Sequence, residues 1–234
     1  MLDKPVQIPA APLGRRAFIG SALATSALAL SGCQSFESYS LTDAIRRLLY
    51  LSSERAFARL LAPDGYWDEA VATIGLADML GTRGNVVAGL LTSTLFKNRL
   101  EDAFADIAIE GAERAAPLVA DAVRVIGIDN AVALVRGGPT AATSFLRGEM
   151  GGTLIEAMVP ELGDAMRIAQ DPLVGQLLAQ LTGVDVSGVA RSFSATIDRA
   201  IWNEMGAEEA AIRRDPGATG DPLLIGVFAG ANAL

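Results

Sequence analysis

From Leu41 to Met205 the apolar residues fall at steps of three and four, and no segment sustains the alternation that a half-buried strand requires. A chain with that period throughout buries stripes rather than sheet faces, which restricts it to helix packed on helix. Leu41, Ala44, Ile45, Leu48, Leu49, Ala56, Phe57 and Leu60 set the first stripe, with Ser40 placed as its cap. After the turn Pro63-Asp64-Gly65-Tyr66, a weaker helix is expected over 68–80. Asn85 is placed to cap a long run through Leu95, Leu100, Phe104, Ile107, Ala108 and Ala115, with Lys97-Asn98 as the point where a break is expected. Pro117 either kinks this helix or begins the next.

Asp129 is placed to cap a short helix through Val135, Gly137 to stop it, and Gly138-Pro139 to start another. Gly151-Gly152 separates that helix from one carrying Leu154, Ile155, Met158 and Val159, continued past a kink at Pro160. Asp171-Pro172 introduces a further helix, and Ser187 opens the last long one, in which Phe193, Ile197, Ile201 and Met205 share a side. Asp215-Pro216-Gly217 breaks it, and Asp221-Pro222 caps a short terminal helix. The expected fold is all-α without a sheet, one bundle of roughly nine helices over residues 41–230.

Ahead of the bundle, Arg15, Arg16 and Phe18 precede an apolar, small-residue run that ends in Leu30-Ser31-Gly32-Cys33. A charged start, a short apolar core and a small-residue processing site define a cleaved export signal. As a helix, residues 17–31 span only about 22 Å, short of a bilayer core of roughly 30 Å. The arginine pair resembles a twin-arginine address, with the general secretory route as the other reading. Leu30, Ser31 and Gly32 before Cys33 look like a lipobox, so Cys33 is the expected lipidation site and the membrane anchor. Several acyl chains on one residue hold a protein durably. Gln34 behind Cys33 favours the outer membrane by the same resemblance. Residues 33–40 are then the lipidated cysteine and a polar tether, at most about 25 Å long when extended.

Composition removes several kinds of chemistry. Residues 1–32 contain Asp3, Lys4, Arg15 and Arg16, so the remainder keeps 16 of the 19 basic and 26 of the 27 acidic residues. A balance of −10 gives no basic footprint for nucleic acid. The chain has no histidine, Cys33 is its one cysteine, and Lys97 is the one lysine behind the signal. That leaves no Ser-His-Asp triad, no histidine metal ligand and no disulfide. No cofactor, metal site or catalytic residue is expected, and an enzyme is the weakest of the readings.

Four groupings invite a sharper reading. Asp102, Asp106, Glu110 and Glu113 fall within an arc of about 80° on one helix, a stripe that could hold a hard cation. Leu100, Phe104, Ile107 and Ala108 take the opposite side, however, which turns the carboxylates to water with Arg99 and Arg114 as local partners. Gly137-Gly138-Pro139-Thr140 is either an anion-binding helix start or a joint that needs glycine. Thr94 and Lys97 form a hydroxyl–lysine pair without the serine of known lysine-dependent sites. Glu209 and Arg213, four residues apart, are expected to form a surface pair contributing a few tenths of a kcal/mol.

Two stretches carry a family resemblance. One holds Gly137, Ala141, Ala142, Thr143, Phe145 and Arg147; the other holds Ile212, Arg213, Asp215 and Pro216, followed by Leu223-Leu224 and Val227-Phe228. Their order and spacing resemble the bacterial family known as domain of unknown function 4197. The resemblance implies an exported helical protein, often a lipoprotein, and supplies no catalytic residue. The leading expectation is a non-enzymatic interaction or structural module of the cell envelope, with an unknown envelope protein as partner. The alternative is a periplasmic carrier for an apolar or lipid-like ligand, motivated by Met150, Met158, Met166 and Met205 on the apolar stripes.

Overall fold

Helices run where the apolar period is sustained, and several of them stop at glycine pairs or Asp-Pro steps. In the computed structural model, which describes residues 31–63, 65–73, 94–168 and 186–230, eight α-helices follow one another and the described residues contain no strand. They are α1 (Ser31–Leu60), α2 (Tyr66–Thr73), α3 (Thr94–Val125), α4 (Ala131–Val135), α5 (Ala141–Met150), α6 (Thr153–Ile168), α7 (Val186–Arg214) and α8 (Pro222–Leu224). A 3-10 turn, Pro216–Thr219, joins α7 to α8, and a π-helical turn, Ile225–Ala229, follows. The chain divides into two units, Met1–Ser40 and Leu41–Leu234. Of the first unit, residues 31–40 are described, as helical backbone.

Within the second unit α7 is the organising element. Phe193, Ile197, Ile201 and Met205 stand at successive steps of four along it and are all fully buried, the stripe that core-facing helices present. α6 packs along α7, α3 packs against both, α5 lies on α7, and α2 lies on α3. Phe193 meets Phe104 of α3 edge to face, with ring centroids 5.0 Å apart, a geometry aromatic quadrupoles favour. The Trp67 indole is buried on α2 and donates to the Leu60 carbonyl at 2.8 Å, which closes the α1–α2 corner. Met158 and Met205 are packed into the core, and Met150 is partly buried against it.

Several boundaries differ from the sequence expectation. Ser40 lies inside α1 rather than capping it, because no glycine or proline interrupts residues 34–40. α3 passes through Lys97-Asn98 unbroken and also continues through Pro117. Pro117 and Pro160 both lie inside their helices at exposed positions. Asn130 rather than Asp129 stands at the start of α4, and Thr140 rather than Gly138-Pro139 at the start of α5; neither donates or accepts a side-chain cap bond. α7 begins at Val186, one residue before Ser187. Gly151 takes a φ of 54° at the end of α5, the left-handed region that admits glycine at least cost. The expected Asn85 cap and the Asp171-Pro172 helix lie outside the described residues, as do Arg15, Arg16, Phe18 and Leu30.

This packing predicts that Phe193→Ala lowers unfolding free energy by about 3–5 kcal/mol in urea denaturation. Val125→Ala, at a position 75 % exposed, should change it by less than about 0.5 kcal/mol.

Candidate functional site

A helix end leaves backbone groups without intrahelical partners, and where it is buried the protein must supply them. α4 ends and α5 begins within a few residues of each other, and neither has a local side-chain cap. α7 supplies both. The stripe Phe193, Ile197, Ile201, Met205 continues at the same step of four to Glu209 and Arg213, whose residues are 0 % and 8 % exposed. Glu209 accepts the Ala142 amide on Oε1 at 3.0 Å and the Thr143 amide on Oε2 at 2.7 Å, capping the first turn of α5. Arg213 donates to the Val135 carbonyl at 3.0 Å and the Leu134 carbonyl at 2.9 Å, capping the last turn of α4. Its Nε donates to Glu209 Oε1 at 2.7 Å.

Each charge sits at the helix end it favours: the carboxylate at an N-terminus, the guanidinium at a C-terminus. The Glu209–Arg213 reading as a surface pair is therefore wrong. Both positions fall on the buried side of α7, so the pair is a clamp across the α4–α5 joint. Hydrogen bonds to charged groups contribute roughly 1.5–3 kcal/mol each, well above the few tenths of an exposed pair.

The surrounding residues fit the clamp closely. A Cβ on Gly206 would come within 3.1 Å of Thr140, so glycine lets α7 approach the joint. A Cβ on Gly137 would meet the Ala141 Cβ at 2.5 Å and the Ala133 carbonyl oxygen at 3.0 Å, leaving no room for any other residue without a shift. The Arg213 guanidinium lies over the Phe228 ring, 4.9 Å from its centroid, a cation–π contact. Asp215 accepts the Ala218 amide, and Pro216 is buried in the 3-10 turn it starts. Ile212 is buried beside the clamp, and Phe145 packs against the core from α5.

A second tie joins α5 to α7, about one turn further along α5 and about three turns nearer the start of α7. Arg147 donates to Asp198 Oδ2 at 3.1 Å, and the Trp202 indole donates to Asp198 Oδ1 at 2.8 Å. The residues singled out in the two family stretches thus meet: Gly137, Ala141, Ala142 and Thr143 at the joint, Ile212 and Arg213 above it, Arg147 on the adjoining tie. The sequence reading missed Asp198 and Trp202, and misplaced Glu209. Their signal was available, since Ser194, Asp198 and Trp202 form a second buried row at steps of four.

The other groupings lie elsewhere. Asp102, Asp106 and Glu113 are exposed and Glu110 half-buried on the outer side of α3. Arg114 pairs with Glu161 of α6 at 3.4 Å. Lys97 reaches Glu101 at 3.4 Å on the exposed side of α3. Among the described residues no group of three or more acidic residues or cysteines is placed to hold a metal ion, and no helix is long and apolar enough to cross a membrane. Between α1 and α7, Arg59 pairs with Glu204 at 2.9 Å and Arg55 reaches Glu208 at 4.0 Å. Burial first, then the Glu204 carboxylate, push the nearby Tyr66 phenol above its ordinary range, with Arg59 opposing. The clamp itself offers no reactive atom to solvent: its carboxylate is enclosed and accepts three hydrogen bonds.

The fold and the clamp define an all-helical domain whose two family stretches are joined by one buried ion pair. The chain belongs to the family described as Protein of unknown function (DUF4197), which matches residues 35–229. No curated protein matches the chain, and no solved structure does.

Removing one partner of a buried pair leaves an uncompensated charge. Arg213→Ala should cost about 3–5 kcal/mol, measured by denaturant unfolding. Combining Glu209→Gln with Arg213→Met should cost less than the sum of the two singles, with a coupling of about 0.5–3 kcal/mol between residues in contact.

Proposed function

We propose that the protein is an exported lipoprotein whose helical domain acts as a non-enzymatic interaction or structural module of the cell envelope. The observation that carries the module reading is the direction in which Arg147, Arg213 and their carboxylate partners point. Glu209 and Arg213 bind the backbone of α4 and α5, and Asp198 holds Arg147 and Trp202. Buried groups of this kind fix a shape; convergent groups opening into a cleft would have favoured catalysis. The shape so fixed is what a partner would read.

The envelope reading rests on the sequence ahead of the domain. Arg15, Arg16 and Phe18 form the address, Leu30, Ser31 and Gly32 the processing site, and Cys33 the residue that takes lipid. One acyl chain binds a membrane only marginally, whereas the several chains of a lipoprotein anchor it durably. The partner is then an envelope protein, and the outer membrane is the favoured location.

In cells grown with labelled palmitate, the wild-type chain should take up label and sediment with outer membranes. Cys33→Ala should lose the label and leave the membrane fraction; label retained by that variant contradicts lipidation at Cys33. Native mass spectrometry of residues 34–234 purified from periplasm tests the module. A bare monomer or homo-oligomer is expected, and a retained mass of a few hundred daltons lost on denaturation would favour an apolar-ligand carrier instead.

A further inference from the structure

Beyond Gly220, which turns the chain with a φ of 65°, the last described residues fold back over the clamp. Leu224 and Phe228 are buried, and Phe228 lies under the Arg213 guanidinium. One carboxylate holds the entry to this segment. Asp221 Oδ1 accepts the Leu223 and Leu224 amides at 3.0 and 3.2 Å and so starts α8. Its Oδ2 accepts Arg47 Nε of α1 at 2.7 Å. The ion pair joins positions 174 residues apart, and it ties the closing turn to the first helix of the domain.

We infer that residues 221–230 form an acid-released clasp: ionised Asp221 ties the closing turn to α1 through Arg47, and protonation lets that turn open while α7 stays folded. From α1 the charged group facing Asp221 is Arg47, whose guanidinium also lies 5.6 Å from the Tyr50 ring centroid. The neighbouring Arg46 pairs with Asp43 at 3.7 Å. From the end of α7, Asp215 accepts the Ala218 amide and Arg213 holds Glu209. Protonation of Asp221 removes the acceptor charge from Arg47 and weakens the α8 cap in one step.

The hydrogen bond from Arg47 does most to hold the Asp221 carboxyl below the usual carboxylate range; burial opposes it, and the Leu224 and Leu223 amides add to it. A carboxyl lowered by folding contributes stability that is complete above its unfolded pKa of about 3.9 and is lost as pH falls through the folded value. The hold of the clasp therefore begins to weaken below about pH 4 and is lost as pH falls further, through the lowered folded value.

Hydrogen exchange of the full folded domain, corrected for the intrinsic pH dependence, tests this between pH 7 and pH 3. Amides of residues 223–228 should open severalfold relative to those of α7 as pH falls to 3, where a single carboxyl with an unfolded pKa of about 3.9 can contribute at most about ninefold. Asp221→Asn should show that opening already at pH 7 and no acid step. Arg47→Gln leaves the α8 cap in place and should reduce the step, which keeps the test decisive if Asp221→Asn does not fold. Protection of residues 223–228 that tracks α7 down to pH 3, whether both persist or both collapse, overturns the inference. So does an acid step unchanged in either variant.

Discussion

Two helix ends buried side by side create the constraint around which this domain is arranged. The first amides of α5 have no local side-chain cap, and at the end of α4 the Leu134 carbonyl has a local partner only in the Gly137 amide at 3.3 Å; an unmet buried backbone group costs as much as a lost hydrogen bond or more. α7 meets both needs with one ion pair, Glu209 on the amides and Arg213 on the carbonyls. The charges satisfy each other as well, which is the condition under which a buried pair is tolerable at all. Gly206 brings α7 close enough for the short carboxylate to reach, and Phe228 lies against the guanidinium.

The same arrangement orders the chain. The joint at residues 131–143 is completed by residues 209–213, 66 to 79 positions further along the chain. The Asp198 tie repeats the logic at lower stakes, because Arg147 is partly open to water. Both ties run from α5 to α7, and they set the register of those helices where apolar side chains alone would allow sliding.

The helical fold and most of its stops were legible because a period of 3.6 is written by many residues at once. Asp215-Pro216 and Asp221-Pro222 both act where the sequence placed them, since a proline in a first turn with an acidic cap has one good geometry. The caps expected at Asp129 and Ser40 do not form: a capping side chain is a short-range device that tertiary partners or a continuing helix can replace. The Glu209–Arg213 spacing fitted an exposed pair equally well. Its burial showed only in the longer row from Phe193 through Met205, where charge takes the next two places on an apolar stripe. What those charges would touch could not be read, because their targets are backbone groups 66 to 79 residues away.

Glu209 as the cap of α5 is the contact on which the joint depends. Amides in the first turn of a helix ordinarily exchange quickly, being without intrahelical partners. Residue-resolved hydrogen exchange of the folded domain should find Ala142 and Thr143 among its slowly exchanging amides, as slow as the middle of α7, despite their place at a helix start. Exchange of those two amides at the rate of a frayed helix end would show that the clamp does not hold the joint.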